Sequence, residues 1–168
     1  MKKLILTLSM IVAINLNAEN LSATFADADT WDGKSVPTDA VCSDYNMEAG
    51  SSPEIVLDNV PQGTTKLILS FSDETFSGMR DGGHGVVSYI PPVYSKKLTI
   101  PSFEGETFDL PENFNSVIAH RAAKYGKPEG AYLAPCSGGK GNTYSVIIEA
   151  KNADDKQLSS TQLTLGKY

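Results

Sequence analysis

Two histidines occur in 168 residues, and one of them, His84, stands where its chemistry could be used. It follows Asp81-Gly82-Gly83 and leads into an apolar run beginning at Val86, while an earlier apolar run ends in Ser70-Phe71-Ser72-Asp73-Glu74. If these runs are the strands of a hairpin, Asp73 and His84 reach the same sheet edge. There a carboxylate can fix the imidazole tautomer and favour its protonated form. Solvated loop acids beside a turn-capping histidine would leave the same residues in the same order. A second cluster runs from Tyr132 to Tyr144 and contains Ser137-Gly138-Gly139-Lys140-Gly141. Successive glycines let backbone N–H groups converge on an anion, and a lysine adds charge. The cluster is not a phosphate-binding P-loop, because Gly-Lys is followed by Gly-Asn and a strand instead of Ser or Thr and a helix. A flexible hairpin connection could carry the same residues. His120-Arg121 forms the third cluster, on a predicted helix. Neighbours there diverge by about 100°, so the pair reads as a solvated helix face.

No G-x-S-x-G elbow, H-E-x-x-H helix or histidine cluster occurs, which argues against an esterase elbow and a zinc hydrolase. A hydrolase would have to use His84 as base, Asp73 as its orienter, and Ser137 or Ser72 as nucleophile. No cofactor and no metal site is expected.

The elements that must position these residues read mainly as strands. Glu54 to Val60 and Lys66 to Ser72 are short apolar runs separated by the turn Pro61-Gln62-Gly63. Val86 to Ile90 stops at Pro91-Pro92. Thr143 to Ala150 alternates Tyr144, Val146 and Ile148 against Ser145, Ile147 and Glu149, and Ser159 to Tyr168 supplies a last strand. The spacing of Phe114, Val117, Ile118 and Ala122 predicts a short helix over Pro111 to Tyr125, stopped by Gly126. Tyr45, Tyr89, Tyr94 and Phe103 are candidates for a contact surface, with sheet-core packing as the alternative use. The pattern is mainly β, a sandwich or barrel with one or two short helices.

Lys2 and Lys3 precede an apolar stretch from Leu4 to Leu16, the pattern of an exported chain's leader over residues 1–18, ending at Ala18. The stretch is too short to span a bilayer, and no cysteine follows it to take a lipid anchor. Residues 19–168 then form one domain in the periplasm or outside the cell. The whole chain has a net charge of −6; removing the leader's two lysines leaves the remainder more acidic. That balance disfavours nucleic acid and anionic lipid surfaces, both of which are bound through clustered Lys and Arg. Cys42 and Cys136, the two cysteines, are expected to pair in an oxidising compartment. Neither has neighbours at zinc-ligand spacing.

In order, the chain reads Trp31-Asp32-Gly33-Lys34-Ser35-Val36-Pro37, Cys42, Gly50-Ser51-Ser52-Pro53-Glu54-Ile55 and Val60-Pro61-Gln62-Gly63-Thr64-Thr65. There follow the strand ending at Asp73, Gly83-His84-Gly85, Tyr132-Leu133-Ala134-Pro135-Cys136, Tyr144 to Ala150, and Leu165-Gly166-Lys167-Tyr168. This succession resembles the phosphatidylethanolamine-binding protein (PEBP) family, in particular its bacterial Raf kinase inhibitor-like branch. The resemblance implies a β-sandwich of two sheets with a small pocket for phosphate-like or carboxylate-like anions. It places Asp73 at the first acid of the family's D-P-D-x-P stretch and His84 at the histidine opening the next strand. Tyr132, Pro135, Ser137, Gly138 and Gly139 fall on the pocket-rim segment, Gly83 beside the histidine, and Tyr144 on the aromatic that follows the family's His-Arg pair. The sequence departs from that pattern at Thr75, where the second acid belongs, and at Glu74 and Ser77, which replace prolines. Gly85 replaces a bulky aromatic, and Asn142-Thr143 replaces His-Arg.

The reading that follows is a non-enzymatic binding or inhibitory module whose partner is a small anion, a phospholipid headgroup or another protein. An interaction surface outside the pocket and a weak hydrolase using His84 and Asp73 are the alternatives.

Overall fold

The computed structural model describes residues 20–168, so the predicted leader lies outside the described residues. Eight strands follow in order: β1 Ser22–Phe25, β2 Ile55–Asp58, β3 Lys66–Asp73, β4 Gly85–Tyr89, β5 Lys97–Ile100, β6 Phe114–Ile118, β7 Thr143–Lys151 and β8 Gln157–Lys167. They form two antiparallel sheets, one ordered β1-β2-β5 and the other β6-β4-β3-β7-β8. The expected two-sheet, mainly β architecture is what the chain adopts, with two short 3₁₀ turns at Ser77–Met79 and Arg121–Tyr125.

Alternation decides which face of each strand is buried. Leu67, Leu69 and Phe71 of β3 and Tyr144, Val146 and Ile148 of β7 are inside, while Ile147 is exposed. They pack with Ile55, Leu57 and Ile100 of the smaller sheet into one apolar cluster, the filling of the sandwich. β4 differs in being buried along its whole length. A second, smaller cluster of Cys42, Met79, Ala122 and Leu133, with Cys136 packed against it, lies apart from the sandwich filling. The Cys42–Cys136 disulfide is formed, with the Cα atoms 5.2 Å apart.

The helix expected over Pro111 to Tyr125 is absent. Phe114–Ile118 is an edge strand hydrogen-bonded to β4, with a register shift between Val86 and Val87. Phe114 is buried, whereas Val117 and Ile118 are exposed. Only Arg121–Tyr125 turns helically, closed by Gly126 in the left-handed conformation as the stop signal implied. His120 is also not on a solvated face: it is buried, and its Nδ1 accepts the Ala122 N–H at 3.2 Å as the N-cap of that turn. The two four-residue strands β1 and β5 carry too little pattern to stand out in the sequence. Of the four candidate surface aromatics, Tyr89 and Phe103 are core residues, and Tyr45 and Tyr94 are exposed.

Candidate functional site

The site grows from one end of three adjacent strands. β3 and β4 form the expected hairpin, with Phe71 opposite Gly85 and the His84 N–H donated to the Phe71 carbonyl at 3.0 Å. On the other side of β3, Asp73 lies opposite Tyr144 of β7. The register therefore delivers Asp73, His84 and Tyr144 to the same end of the sheet. The Tyr144 ring meets the His84 ring edge to face, 5.2 Å between centroids.

Asp73 is 3% exposed, and a buried carboxylate is tolerable only when its lone pairs are used. Its Oδ1 accepts the N–H groups of Thr75 (2.8 Å) and Phe76 (2.9 Å), and its Oδ2 accepts Asn142 Nδ2 at 2.6 Å. Asn142 thus holds Asp73, and Thr143 holds the strap beyond it: its N–H reaches Thr75 Oγ1 at 3.0 Å, and its carbonyl takes the Glu74 N–H at 2.8 Å. Two of the departures from the family pattern, Thr75 and Asn142-Thr143, therefore form one connected set of hydrogen bonds in this chain.

His84, also 3% exposed, is fixed from the opposite side. Its Nδ1 lies 2.8 Å from the Leu133 carbonyl, and Leu133 donates its N–H to the His84 carbonyl at 2.9 Å. A carbonyl only accepts, so Nδ1 carries a hydrogen. This pairing needs the segment from Ala131 to run close against β4. Gly85 permits it: a Cβ there would stand 2.0 Å from the Ala131 carbonyl oxygen, and its φ of +115° excludes most side chains as well. Burial pushes His84 down to about 4, against the opposing pull of the Leu133 carbonyl and the Asp73 charge. The ring is therefore neutral near pH 7. That corrects the expectation that Asp73 orients His84 and keeps it protonated: the orienting partner is Leu133, and the desolvation cost exceeds the carboxylate's help. Burial raises Tyr144 to about 12, and the Asp73 charge adds to the shift. Burial raises Tyr132 further, and its hydroxyl has no hydrogen-bond partner among the described residues.

These groups open into a cavity of about 450 Å³. Of the residues singled out in the sequence, Asp73, Thr75, His84, Cys136, Ser137, Lys140, Asn142 and Tyr144 line it. Tyr132 and Pro135 instead line a small void behind the histidine, which His84 and Tyr144 also border. Gly83, Gly138 and Gly139 line neither. The Cys136 N–H is donated to the Tyr144 hydroxyl at 3.2 Å, and the Ser137 hydroxyl donates to the Tyr168 carbonyl, so the disulfide and the C-terminus anchor the wall. Sequence reading missed the apolar side of the cavity, formed by Met79, Ala122, Leu133 and Phe76, and its outer residues Tyr45, Tyr125 and Lys127. These come from four separated segments, and of them only Leu133 belongs to a motif the sequence singled out. Lys127 pairs with Asp44 and lies 5.8 Å from the Tyr45 ring centroid, while Lys140 has no ion-pair partner among the described residues.

The two serines named as candidate nucleophiles have other partners. Ser137 spends its hydrogen on Tyr168, Ser72 Oγ accepts the Gly82 N–H at 3.0 Å, and neither serine is hydrogen-bonded to His84 among the described residues. Nucleophilic catalysis needs that contact.

No protein-family model matches the chain, and no curated protein sequence does. Among solved structures the chain is similar to YbcL of E. coli, a member of the mammalian PEBP family, with a TM-score of 0.56 and 17% sequence identity. The likeness covers 89% of this chain and 98% of that one. The fold that the succession of motifs led us to expect is the fold these two chains share.

Proposed function

We propose that this chain is a non-enzymatic binding module of an oxidising, extracytoplasmic compartment, whose cavity takes a small molecule with an oxyanion head of the phosphate or carboxylate type. The observation that carries the reading is the convergence of Asp73, His84, Ser137, Asn142 and Tyr144 at the polar side of one cavity, with Lys127 and Lys140 along it. The same cavity is lined by Met79, Leu133 and Cys136, which pack into one apolar cluster suited to the body of an organic anion. A concave site of this size with a few converging polar groups is the usual form of a small-molecule site. The PEBP-type fold of YbcL supports a binding or inhibitory role over a catalytic one, and among the described residues neither Ser72 nor Ser137 is hydrogen-bonded to His84. The formed disulfide supports the compartment, and no described helix is long and apolar enough to cross a membrane.

Titration with inorganic phosphate and with acetate, followed by NMR, tests the proposal. The His84 ring and the Asn142 side-chain amide shift on binding, and Lys140→Ala weakens the effect because charge-assisted contacts are the stronger ones. Unmoved resonances at high anion concentration would contradict it.

A further inference from the structure

We propose that the ligand head carries a hydrogen of its own and donates it to His84 Nε2, so that the cavity takes protonated oxyanions, such as the monoanion of a phosphate monoester, and rejects sulfate esters of the same charge and shape. The inference rests on the anion reading above and narrows it.

The argument starts from the fixed end of the ring. Nδ1 donates to the Leu133 carbonyl at 2.8 Å, leaving Nε2 as the atom whose state matters. Nε2 has no hydrogen-bond partner among the described residues, yet it is not among the atoms sealed from solvent without one, and the ring lines the cavity. A side chain only 3% exposed thus offers one unpartnered polar atom to the site.

Whether that atom is a donor or an acceptor depends on what surrounds the ring. Asp73 from β3 favours the charged imidazolium. His120 and Arg121, from the neighbouring 3₁₀ turn, disfavour it. Tyr144 presents an uncharged ring edge. Asp73's oxygens are committed to Thr75, Phe76 and Asn142 and make no hydrogen bond to the ring. Burial prevails, so the ring is neutral and Nε2 is a bare lone pair.

Two of the polar groups lining the site, Nε2 and the Asp73 carboxylate, are therefore both acceptors. An aprotic oxyanion would set its oxygens against them and leave Nε2 unsatisfied, whereas a P–OH group supplies the missing hydrogen. A site built around such a contact discriminates strongly against an analogue that lacks it. The charge of the head is met by Lys140, which lines the cavity and has no ion-pair partner among the described residues. An organic substituent has the wall of Met79, Leu133 and Cys136 to lie against.

Phenyl phosphate and phenyl sulfate separate the possibilities in calorimetric titrations of the leader-free protein. At pH 5 both are monoanions, because the second pKa of a phosphate monoester is about 6, and they differ by one hydrogen. Phenyl phosphate is expected to bind about 10-fold tighter or better, and to lose a comparable factor by pH 8 as its last proton leaves. His84→Gln, which can offer an amide N–H in place of the lone pair, brings the ratio toward one. If that variant does not fold, ring ¹⁵N spectra of the unaltered protein decide: Nε2 must be unprotonated at pH 5. Equal affinity for the two esters, tighter sulfate binding, or a protonated Nε2 overturns the donor requirement while leaving an anion site in place. No binding of either ester, or preferred binding of benzylammonium, overturns both.

Discussion

A histidine buried beside a carboxylate and an aromatic ring loses more hydration than the carboxylate returns, and His84 is held near 4 for that reason. The consequence for stability has a definite sign. Between the unfolded value of about 6.5 and the folded value of about 4, the unfolded chain binds the additional proton. Stability is full above pH 6.5 and is lost as pH falls toward 4, by about 3 kcal/mol if His84 acts alone. Urea midpoints measured from pH 7 to pH 4 should fall accordingly. His84→Gln should flatten the slope without abolishing it, since burial lowers His120 as well. Asn142 gives a second prediction. Replacing it with Leu removes the Oδ2 donor of Asp73 and should cost about 1–3 kcal/mol in chemical denaturation. That positions 73 and 84 come to the same end of the sheet was legible in the sequence from the apolar runs beside them. The direction of the His84 shift was not, because it depends on Leu133 and on burial, neither of which a sequence neighbour reveals.

Strands with long apolar or alternating runs, β3 and β7 above all, could be read directly, and so could the β3–β4 hairpin that joins the site. The segment after Pro111 could not. Phe114, Val117, Ile118 and Ala122 match a helical stripe, but β4 offers a free edge, and Phe114, Asn115, Ser116 and Ile118 pair with it around a register shift. The exposure of Val117 and Ile118 shows that hydrogen bonding to β4, and not burial of that stripe, decides the segment's conformation. Close approach of elements makes the third prediction. Gly85→Ala drives a methyl to within 2.0 Å of the Ala131 carbonyl oxygen and should destabilise by more than about 2 kcal/mol, with loss of the His84–Leu133 pairing. Gly63→Ala is the control: its φ is also positive, at +88°, but no atom lies within 4 Å of the added carbon, so only the backbone term of about 1–2 kcal/mol should appear. Thermal unfolding of the two variants side by side checks the difference.

At the scale of the whole molecule, the disulfide does two jobs. It closes a loop across a sequence separation of 94 residues, for which chain entropy gives about 4–5 kcal/mol, and Cys136 forms part of the cavity wall. Cys42→Ala/Cys136→Ala should therefore lower both the denaturation midpoint and the affinity for an organic anion. Pairing of the two cysteines was foreseeable from their number and the expected leader, whereas the second use needed the fold. The cavity as a whole was half legible. Its polar side follows the succession of motifs from Asp73 to Tyr144; its apolar side is assembled from residues that only the tertiary structure makes neighbours. The most direct test of the account is amide shift mapping with phenyl phosphate at pH 5 on ¹⁵N-labelled protein. The account predicts saturable changes confined to the cavity lining, centred on Asp73, His84, Ser137, Asn142 and Tyr144. Changes centred instead on the exposed edge strand at Val117 and Ile118, or none at all, would contradict it.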